Sequence, residues 1–462
     1  MADTFLIGSG SAFSGDRLDA PRPVLDTLIA RGGPSVLMFE TLGERTLALA
    51  QLSRRDDPAH GYEPALIDLL RPVLAGALEH GIPIVGNFGA ANPVAAGRAI
   101  RRLSRELGCG EILVAVVLGD DVRESLGSGT LEPWETDDLG LLADSDIVAA
   151  NAYLGAAPIA AALGGGAQVV VTGRVTDSAL ALGPLIQHFG WKSDDWNRLA
   201  AGVLTGHLLE CGAQVTGGYF ADPGWKDVPG LADVGFPLAE VDASGGIIIT
   251  KADNTGGCVT PQTVKEQMLY EIHDPTCYLT PDVALDLSDV TVEAIGRNRV
   301  RVAGARGYPP TDRLKVTVSY QGDWLGEAEI SYAGPNAFRR ARLATEIVRE
   351  RVSRYLAPGS YRTEIIGAVS LFDDDTGTFQ AAMADSEDGD RWGRDFRMRL
   401  AAHAPDRAIA EQVIREVLSL YCAGPAGGGG VRQRLSRRMN TLSCLIPCDS
   451  VDARVEFLEV DE

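Results

Sequence analysis

Three residues near the middle of the chain have the spacing of a small acid–base site. His207, Glu210 and Cys211 stand at positions i, i+3 and i+4, and on a helix this spacing places the three side chains on one face. A histidine beside a carboxylate can move protons, and a neighbouring thiol can act as a nucleophile or a ligand. The polar side of an ordinary helix end has the same spacing, so the catalytic and the structural interpretations both stay open.

A second set of polar residues follows a series of short apolar segments. Glu40 comes directly after "SVLMF", and Arg174 follows "VVVTG", where an arginine can hold a carboxylate or a phosphate through two hydrogen bonds. The other members are Glu44, Arg45, Asn87, Asn92, Asp120, Asp121, Asn151, Tyr153 and Asp177. Each could instead cap a helix. We expect the set to meet at one edge of a sheet, because ligands of open α/β sheets bind at the carboxyl ends of the strands.

The first apolar segment leads into the glycine- and serine-rich stretch "GSGSAFSGDRLDAP", which begins at Gly8. A dinucleotide-binding loop has a glycine where this chain has Phe13. Pro21 and Pro23 predict that the next helix begins only at about Val24, away from the glycines. We therefore predict an active-site loop rather than a nucleotide-binding loop. Four of its residues are predicted to bind substrate: Ser9, Ser11, Asp16 and Arg17.

Two later glycine-rich stretches and one acidic stretch are further candidates for ligand binding. "DNTGGCVTP" and "AGPAGGGGVRQ" (residues 423–433) could each form a backbone anion site or a flexible linker. The 6 histidines share no H-x-x-x-H spacing, which argues against a multi-histidine metal centre. "FDDDTG" (residues 372–377) could bind a divalent cation, although an acidic surface turn has the same composition. We predict no cofactor, with Mg²⁺ as the open alternative.

Composition and charge limit the class of protein. The net charge of −21 over 462 residues argues against a nucleic-acid or anionic-membrane partner, since both require clustered Lys and Arg. No run of eighteen apolar residues and no secretory signal occurs. The 7 cysteines are odd in number and form no C-x-x-C motif. These features favour a protein of the reducing cytoplasm.

The elements that must position these residues follow a strand–helix alternation in the first half of the chain. The predicted strands are residues 4–7, 35–39, 82–86, 112–118, 147–150 and 168–172, and the helices between them are 24–30, 42–52, 65–79 and 94–107. This spacing predicts β-α-β units. We expect an α/β domain over residues 1–245, with a mostly parallel sheet, flanking helices and the strand-end loops of the active site.

The second half has a different pattern. Strands are predicted at residues 244–251, 290–294, 300–303, 314–319, 328–332 and 364–369, and helices at 262–272, 337–355 and 408–420. Strands that follow one another without intervening helices are typical of α+β proteins. We therefore expect an α+β domain over residues 246–462, which carries the glycine-rich loops.

Taken together, the segments resemble the acyclic terpene utilisation (AtuA-type) family over nearly the whole chain. The resemblance is carried by "IGSGSAFSGDRLDAP", "FETLGERTLALAQL", "GNFGAANP", "VTGRVTDSALALGPLIQHFGW", "AGVLTGHLLEC", "QVTGGYFADPG", "KEQMLYEIHDPTCYLTPDV" and "GPAGGGG". It implies a role beside acyl-CoA-handling enzymes, notably geranyl-CoA carboxylase in terpene breakdown, or in other carboxylic-acid pathways. It implies no particular reaction and no particular catalytic residues.

The resemblance also has implications for partners. Many relatives carry a ferredoxin-like α+β domain after the last glycine-rich stretch, or have it as a separate protein. Only about thirty residues follow that stretch here, too few for a core of their own. The resemblance therefore implies a large subunit that works with a separate small ferredoxin-like subunit, and we expect a homo-oligomer. Residues 453–460 alternate in type and predict an edge strand.

We expect a catabolic enzyme, a hydratase or another lyase, that acts on a carboxylic acid or an acyl-CoA in acyclic terpene or related organic-acid degradation. Glu40, or His207 with Glu210, would move protons, and Asn87 and Asn92 would stabilise an oxyanion. Arg174, expected on a loop, would hold a carboxylate and add under about 1 kcal/mol to stability. The alternatives are a non-catalytic binding or scaffold subunit of an acyl-CoA-processing complex, and an ATP-dependent ligase or carboxylase component.

Overall fold

The computed structural model describes residues 4–124, 131–134, 139–142, 146–367, 378 and 395–459. The chain forms two compact units, one of residues 1–320 with 441–462 and the other of residues 321–440. The sequence pattern instead changes at residues 245–246, and that predicted domain boundary stays a prediction. Each unit is described by itself below.

The strands within the described residues are β1 (Thr4–Ser9), β2 (Ser35–Phe39), β3 (Ile84–Gly86), β4 (Val114–Leu118), β5 (Glu132–Pro133), β6 (Asp146–Ala152), β7 (Val169–Thr172), β8 (Pro237–Asp242), β9 (Ile247–Lys251), β10 (Tyr278–Leu279), β11 (Ala284–Asp286), β12 (Thr291–Gly296), β13 (Arg299–Ala303), β14 (Arg306–Tyr308), β15 (Arg313–Ala333), β16 (Tyr361–Ile366), β17 (Asp395–Ala404), β18 (Gly428–Pro447) and β19 (Arg454–Phe457).

The α-helices within the same residues are α1 (Pro21–Arg31), α2 (Glu44–Asp56), α3 (Leu66–Leu70), α4 (Leu74–Glu79), α5 (Pro93–Glu106), α6 (Ala157–Gly164), α7 (Ala179–Phe189), α8 (Trp196–Glu210), α9 (Pro261–Leu269), α10 (Ala337–Val352), α11 (Arg407–Leu418) and α12 (Leu420–Ala423). Short 3₁₀ turns lie at Leu139–Leu142, Gly212–Thr216, Leu231–Asp233 and Cys448–Ser450.

A ten-stranded sheet in the order β12-β13-β9-β8-β1-β2-β3-β7-β4-β19 organises the first unit. The five strands β1, β2, β3, β7 and β4 pair in parallel, which confirms the predicted α/β class. The five outer strands pair antiparallel, so the sheet as a whole is mixed. The last of them, β19, pairs with β4 at one edge of the sheet, where the sequence predicted an edge strand.

Helices cover both faces of the parallel strands, which explains why those strands are apolar throughout. Successive side chains of a strand point to opposite faces. Val36 and Met38 accordingly belong to one core, and Leu37 and Phe39 belong to the other. The strand β2 is thereby buried along its whole length. The helix α8, which carries His207, packs in the first of these cores.

The second unit is built on an antiparallel sheet. Within it, β17 pairs with β16 on one side and with the second half of β15 on the other. The helices α10 and α11 contribute the buried side chains that pack against this sheet, among them Phe338, Val348 and Val413. The α+β style predicted for these residues is confirmed.

Four local predictions are wrong, each for a physical reason. The helix α1 begins at Pro21 rather than at Val24, because proline is well suited to the first turn of a helix. The predicted helix 65–79 is two helices, interrupted near Pro72, which cannot donate the backbone hydrogen bond. Residues 314–319 and 328–332 belong to one strand, β15, since pairing with β17 already begins at Trp324, before the second predicted strand.

The fourth wrong prediction concerns β6, which was expected in the parallel sheet. It pairs with β15 instead, and its Ala150 and Ala152 pack with Leu314, Val316 and other side chains of a separate small cluster. A short apolar run does not specify its partner strand, since many neighbours can bury the same side chains. As a consequence, Asn151 does not lie at the end of a parallel strand.

Candidate active site

A cavity of about 1250 Å³ opens in the first unit at the carboxyl ends of the parallel strands β1, β2 and β7. Residues one to three positions after these strands line it, namely Ala12, Glu40 and Arg174. The chain therefore places its large cavity where parallel α/β sheets bind ligands. Half of the twelve predicted site residues line it: Asp16, Glu40, Arg174, Asp177, His207 and Glu210.

Glu40 stands at the first position after β2 and is 6% exposed. Its Oε1 atom accepts hydrogen bonds from the backbone N–H of Leu42 (2.7 Å) and from Nδ2 of Asn87 (2.9 Å). Burial, reinforced by the negative charge of Asp177, raises the pKa of Glu40 to about 8. Since Oε1 already accepts two hydrogen bonds, the proton of neutral Glu40 belongs on Oε2. At neutral pH this shift favours the neutral carboxylic acid form of Glu40.

Arg174 is 2% exposed and uses its guanidinium group to fasten the loop around it. Its Nε atom donates to the carbonyl of Val175 (2.8 Å), and its other nitrogens donate to the carbonyl of Leu42 and to Asp177. The small contribution to stability was expected from a loop position, whereas the structure buries the guanidinium with three protein partners, so removal of Arg174 is expected to cost more. Its predicted role in holding a substrate carboxylate stays a prediction.

A group of three cavity residues combines two of the strand-end polar residues, Glu44 and Tyr153, with Lys315, which the sequence did not indicate. The hydroxyl of Tyr153 donates to Oε1 of Glu44 at 2.6 Å, and Nζ of Lys315 lies 3.6 Å from the same oxygen. Although burial alone would raise it, the Tyr153 hydrogen bond and the charge of Lys315 hold the pKa of Glu44 below its ordinary value. Lys315 comes from β15, so only the tertiary structure brings it to the strand ends.

Two cations flank the Tyr153 ring. The guanidinium carbon of Arg174 lies 4.6 Å from the ring centroid, and Nζ of Lys315 lies 4.9 Å from it. Both distances are those of cation–π contacts. Burial raises the pKa of Tyr153 above its ordinary value, which keeps the hydroxyl protonated as the donor to Glu44. Two members of the group, Glu44 and Tyr153, belong to the polar residues that follow the predicted strands, whereas Lys315 does not.

His207 and Glu210 lie on one face of α8, as the spacing predicts. Nδ1 of His207 and Oε1 of Glu210 are 2.8 Å apart, and both residues are buried. Although burial alone lowers it, the neighbouring Glu210 carboxylate raises the pKa of His207 above its ordinary value. Burial and Glu210 raise the pKa of the Cys211 thiol, which removes the thiolate that a nucleophilic cysteine needs.

The remaining predicted residues support the site or lie apart from it. Ser11 donates to the carbonyl of Glu40 at 2.7 Å, and Ser9 donates to the carbonyl of Ser11 at 3.3 Å. Asn87 fixes Glu40 and also accepts from the backbone N–H of Thr41 at 2.7 Å. These three side chains lie behind the cavity wall rather than in it, so their contact with the site passes through Glu40.

Asn92, Asn151 and Arg17 do not line the cavity. Asn92 accepts from Ala95 as the N-cap of α5, which is the helix-capping alternative. Asn151 donates to Asp120 at 2.8 Å in the buried interior. Arg17 pairs with Asp19 at 2.9 Å. Both Asn87 and Asn92 use their side-chain amides to bond protein groups. The oxyanion role predicted for them stays a prediction.

The glycines of the first loop serve packing. A Cβ atom on Gly8 would lie 2.4 Å from Cγ1 of Val24, and one on Gly10 would lie 2.7 Å from the ring of Phe39. Gly8 itself belongs to β1. Close approach of core side chains therefore accounts for both glycines without a phosphate. Of the later stretch, Gly428, Gly429 and Gly430 begin the strand β18.

Among the described residues, no group of three or more His, Cys, Asp or Glu side chains is arranged to hold a metal ion. The acidic stretch at residues 372–377 lies outside the described residues. No helix in the described part of the chain is long and apolar enough to cross a membrane.

Comparison with known proteins gives one match. The family model described as "Acyclic terpene utilisation family protein AtuA" matches residues 5–457, which is nearly the whole chain. No curated protein and no solved structure matches the sequence.

Proposed function

Because this chain belongs to the acyclic terpene utilisation family AtuA, we propose that it is an enzyme of that catabolism whose cavity catalyses the hydration of an unsaturated acyl substrate or the reverse dehydration. The substrate is a carboxylic acid or its acyl-CoA. Membership of the family implies involvement in acyclic terpene utilisation. The reaction type is inferred from the chemistry of the cavity.

The observation that carries the proposal is the contrast between Glu40 and Glu44. These two carboxyl groups are four residues apart in the chain and line the same cavity, yet their pKa values move in opposite directions. Two acidic groups held in opposite protonation states are suited to act as a general acid and a general base. Addition of water to a double bond requires one of each.

The proposed hydration uses both groups in one step. Ionised Glu44 takes a proton from water while the hydroxyl oxygen forms a bond to the β-carbon of the conjugated double bond. Protonated Glu40 gives its proton to the α-carbon, so that the elements of water have been added, Glu44 is left protonated and Glu40 is left ionised. Return of the proton from Glu44 to Glu40 through solvent restores the enzyme.

The side chains that line the cavity suit a substrate with both a polar and an apolar part. Glu40, Glu44 and Tyr153 contribute polar groups to the cavity lining, and Leu279, Leu314 and Leu445 contribute apolar surface. A volume of about 1250 Å³ exceeds the usual range of small-molecule sites. A branched acyl chain therefore fits beside the carboxyl groups with room for a larger head group.

Substitution of the proposed acid tests the reaction type. Glu40→Gln keeps the shape of the side chain and can still accept hydrogen bonds from Leu42 and Asn87. It has no acidic proton to donate. We expect turnover of a branched enoyl-CoA or a branched enoate to fall by about a hundredfold or more. Glu79→Gln, an exposed change at the end of α4, is the matched control and should leave the rate unchanged.

The outcome is measured across a panel of branched enoyl-CoAs, enoates and hydroxy acids. Turnover that is equal in the Glu40→Gln variant and the wild type contradicts the acid role. A wild type that binds members of the panel but turns over none of them favours a non-catalytic binding subunit instead.

A further inference from the structure

The Arg and Lys side chains that line the cavity differ in how many hydrogen bonds they already donate to protein groups. Arg174 donates hydrogen bonds to two backbone carbonyls and to Asp177. Arg313 donates to Glu132 at 3.0 Å and to Asp312 at 2.9 Å. Lys315 is the third, and within the described residues the structure gives its Nζ atom no hydrogen bond. Its nearest carboxylate oxygen, on Glu44, is 3.6 Å away.

The position of Lys315 is nevertheless well defined. The residue belongs to β15, and its carbonyl accepts a hydrogen bond from the backbone N–H of Tyr153 at 2.9 Å. The ammonium group lies 4.9 Å from the centroid of the Tyr153 ring, and the side chain is 37% exposed. An anchored backbone and an aromatic contact hold the charge at the cavity wall while its three N–H donors stay available.

We propose that Lys315, rather than Arg174, binds the carboxylate head group of an anionic substrate in this cavity. The inference rests on the proposed function in one respect, namely that the cavity is the substrate site. An ammonium with free donors forms charge-assisted hydrogen bonds with an incoming carboxylate. Arg174 would first have to give up partners in a buried position, which is costly.

The surroundings of Lys315 favour a single negative charge. Ionised Glu44 lies beside the ammonium, so a doubly charged group such as a phosphate monoester would meet a like charge at close range. A monocarboxylate brings less repulsion. Neutral Glu40 adds no negative charge of its own and lines the same cavity. The chemistry therefore points to a free carboxylic acid with an apolar chain.

Calorimetric titration with two probes tests the inference. Octanoate and octanamide share chain length and shape and differ in charge. We expect the wild type to bind octanoate at least about tenfold more tightly than octanamide. Lys315→Ala should lose this preference while keeping its affinity for octanamide, and Lys315→Arg should retain part of it. Lys265→Ala, an exposed lysine on α9, removes the same charge elsewhere and should behave as the wild type.

Three results would overturn the inference. The first is a wild type that binds octanoate no more tightly than octanamide. The second is a Lys315→Ala variant that keeps the preference. The third is a Lys315→Ala variant that loses both probes, since that marks a structural lysine. Each is separate from failure of the proposed function, which is measured by turnover in the Glu40→Gln variant.

Discussion

Charged side chains are used in opposite ways in the cavity of the first unit and on the sheet of the second unit. On that sheet, Arg399 bonds Glu364 on the neighbouring strand at 3.0 Å, and Arg397 bonds Glu329 at 3.1 Å. In the cavity, Glu40 is held by two N–H groups, and among the described residues no cation donates a hydrogen bond to it. Pairing satisfies the charges on the sheet, whereas the cavity favours the protonation state of Glu40 that the proposed hydration requires.

The hydrogen-bond partners of the charged side chains indicate where a functional site lies in such a molecule. Cross-strand ion pairs in partial contact with solvent stabilise a sheet modestly. A buried carboxyl group without a cationic hydrogen-bond partner costs stability, and such groups cluster at functional sites. The partners of charged groups therefore indicate a functional site better than the number of charged groups does.

The largest expected effect comes from breaking the buried arrangement. Arg174→Ala removes three hydrogen bonds and leaves Asp177 beside Glu40 without its cation. We expect the free energy of unfolding to fall by about 3–5 kcal/mol, as measured by urea denaturation. A loss below about 1 kcal/mol would mean that the buried arginine is no more important than a surface ion pair.

An effect of similar size is expected from the protonation of Glu40. Its folded-state pKa of about 8 lies above its ordinary value of 4.5. The stability that proton binding contributes is therefore fully present below the ordinary value and is lost as the pH rises through about 8. Between those limits the unfolded chain releases the proton and the folded chain retains it.

The matched variant for this effect is Glu40→Gln, which has no proton to lose. Its stability relative to the wild type should rise by a few kcal/mol between pH 5 and pH 9, on the scale set by about 1.4 kcal/mol per pKa unit. Denaturation curves of both proteins across this range measure the difference. A difference that is independent of pH would show that Glu40 titrates normally.

The smallest effect is expected on the sheet of the second unit. Arg399→Ala removes ion pairs to Glu327 and Glu364 that are in partial contact with solvent. We expect a loss of about 1 kcal/mol or less, and this loss should shrink further in 1 M salt. A salt-independent loss comparable to that of Arg174→Ala would remove the contrast between the two regions.

Local patterns predicted the elements of the parallel sheet well because those strands are buried on both faces. The run "SVLMF" can satisfy its side chains only between two layers of helices, so β2 was predicted with its observed bounds. His207 and Glu210 were also accessible to prediction, since a helix fixes which residues share a face. Both cases depend on spacing within a single element.

The parts that the sequence could not predict depend on contacts between distant segments. Nothing near Lys315 in the chain indicates that β15 places it beside Glu44. The buried guanidinium of Arg174 donates to the carbonyl of Leu42, which lies more than one hundred residues away in the chain. Asn151 was wrongly expected at the edge of the parallel sheet, because its apolar neighbours did not indicate which strand β6 would pair with. Partner choice between strands is a property of the assembled core.

The pairing of β19 with β4 has a consequence for synthesis of the protein. Val455 lies opposite Val117, more than three hundred residues later in the chain. During translation, the apolar strand "VAVVL" must therefore keep one edge unpaired long after its other neighbours can be made. An unpaired apolar edge invites association with other chains, and contacts between such distant residues form slowly. The nascent chain thus has a built-in period in which a chaperone, or slow translation, would influence the yield of folded protein.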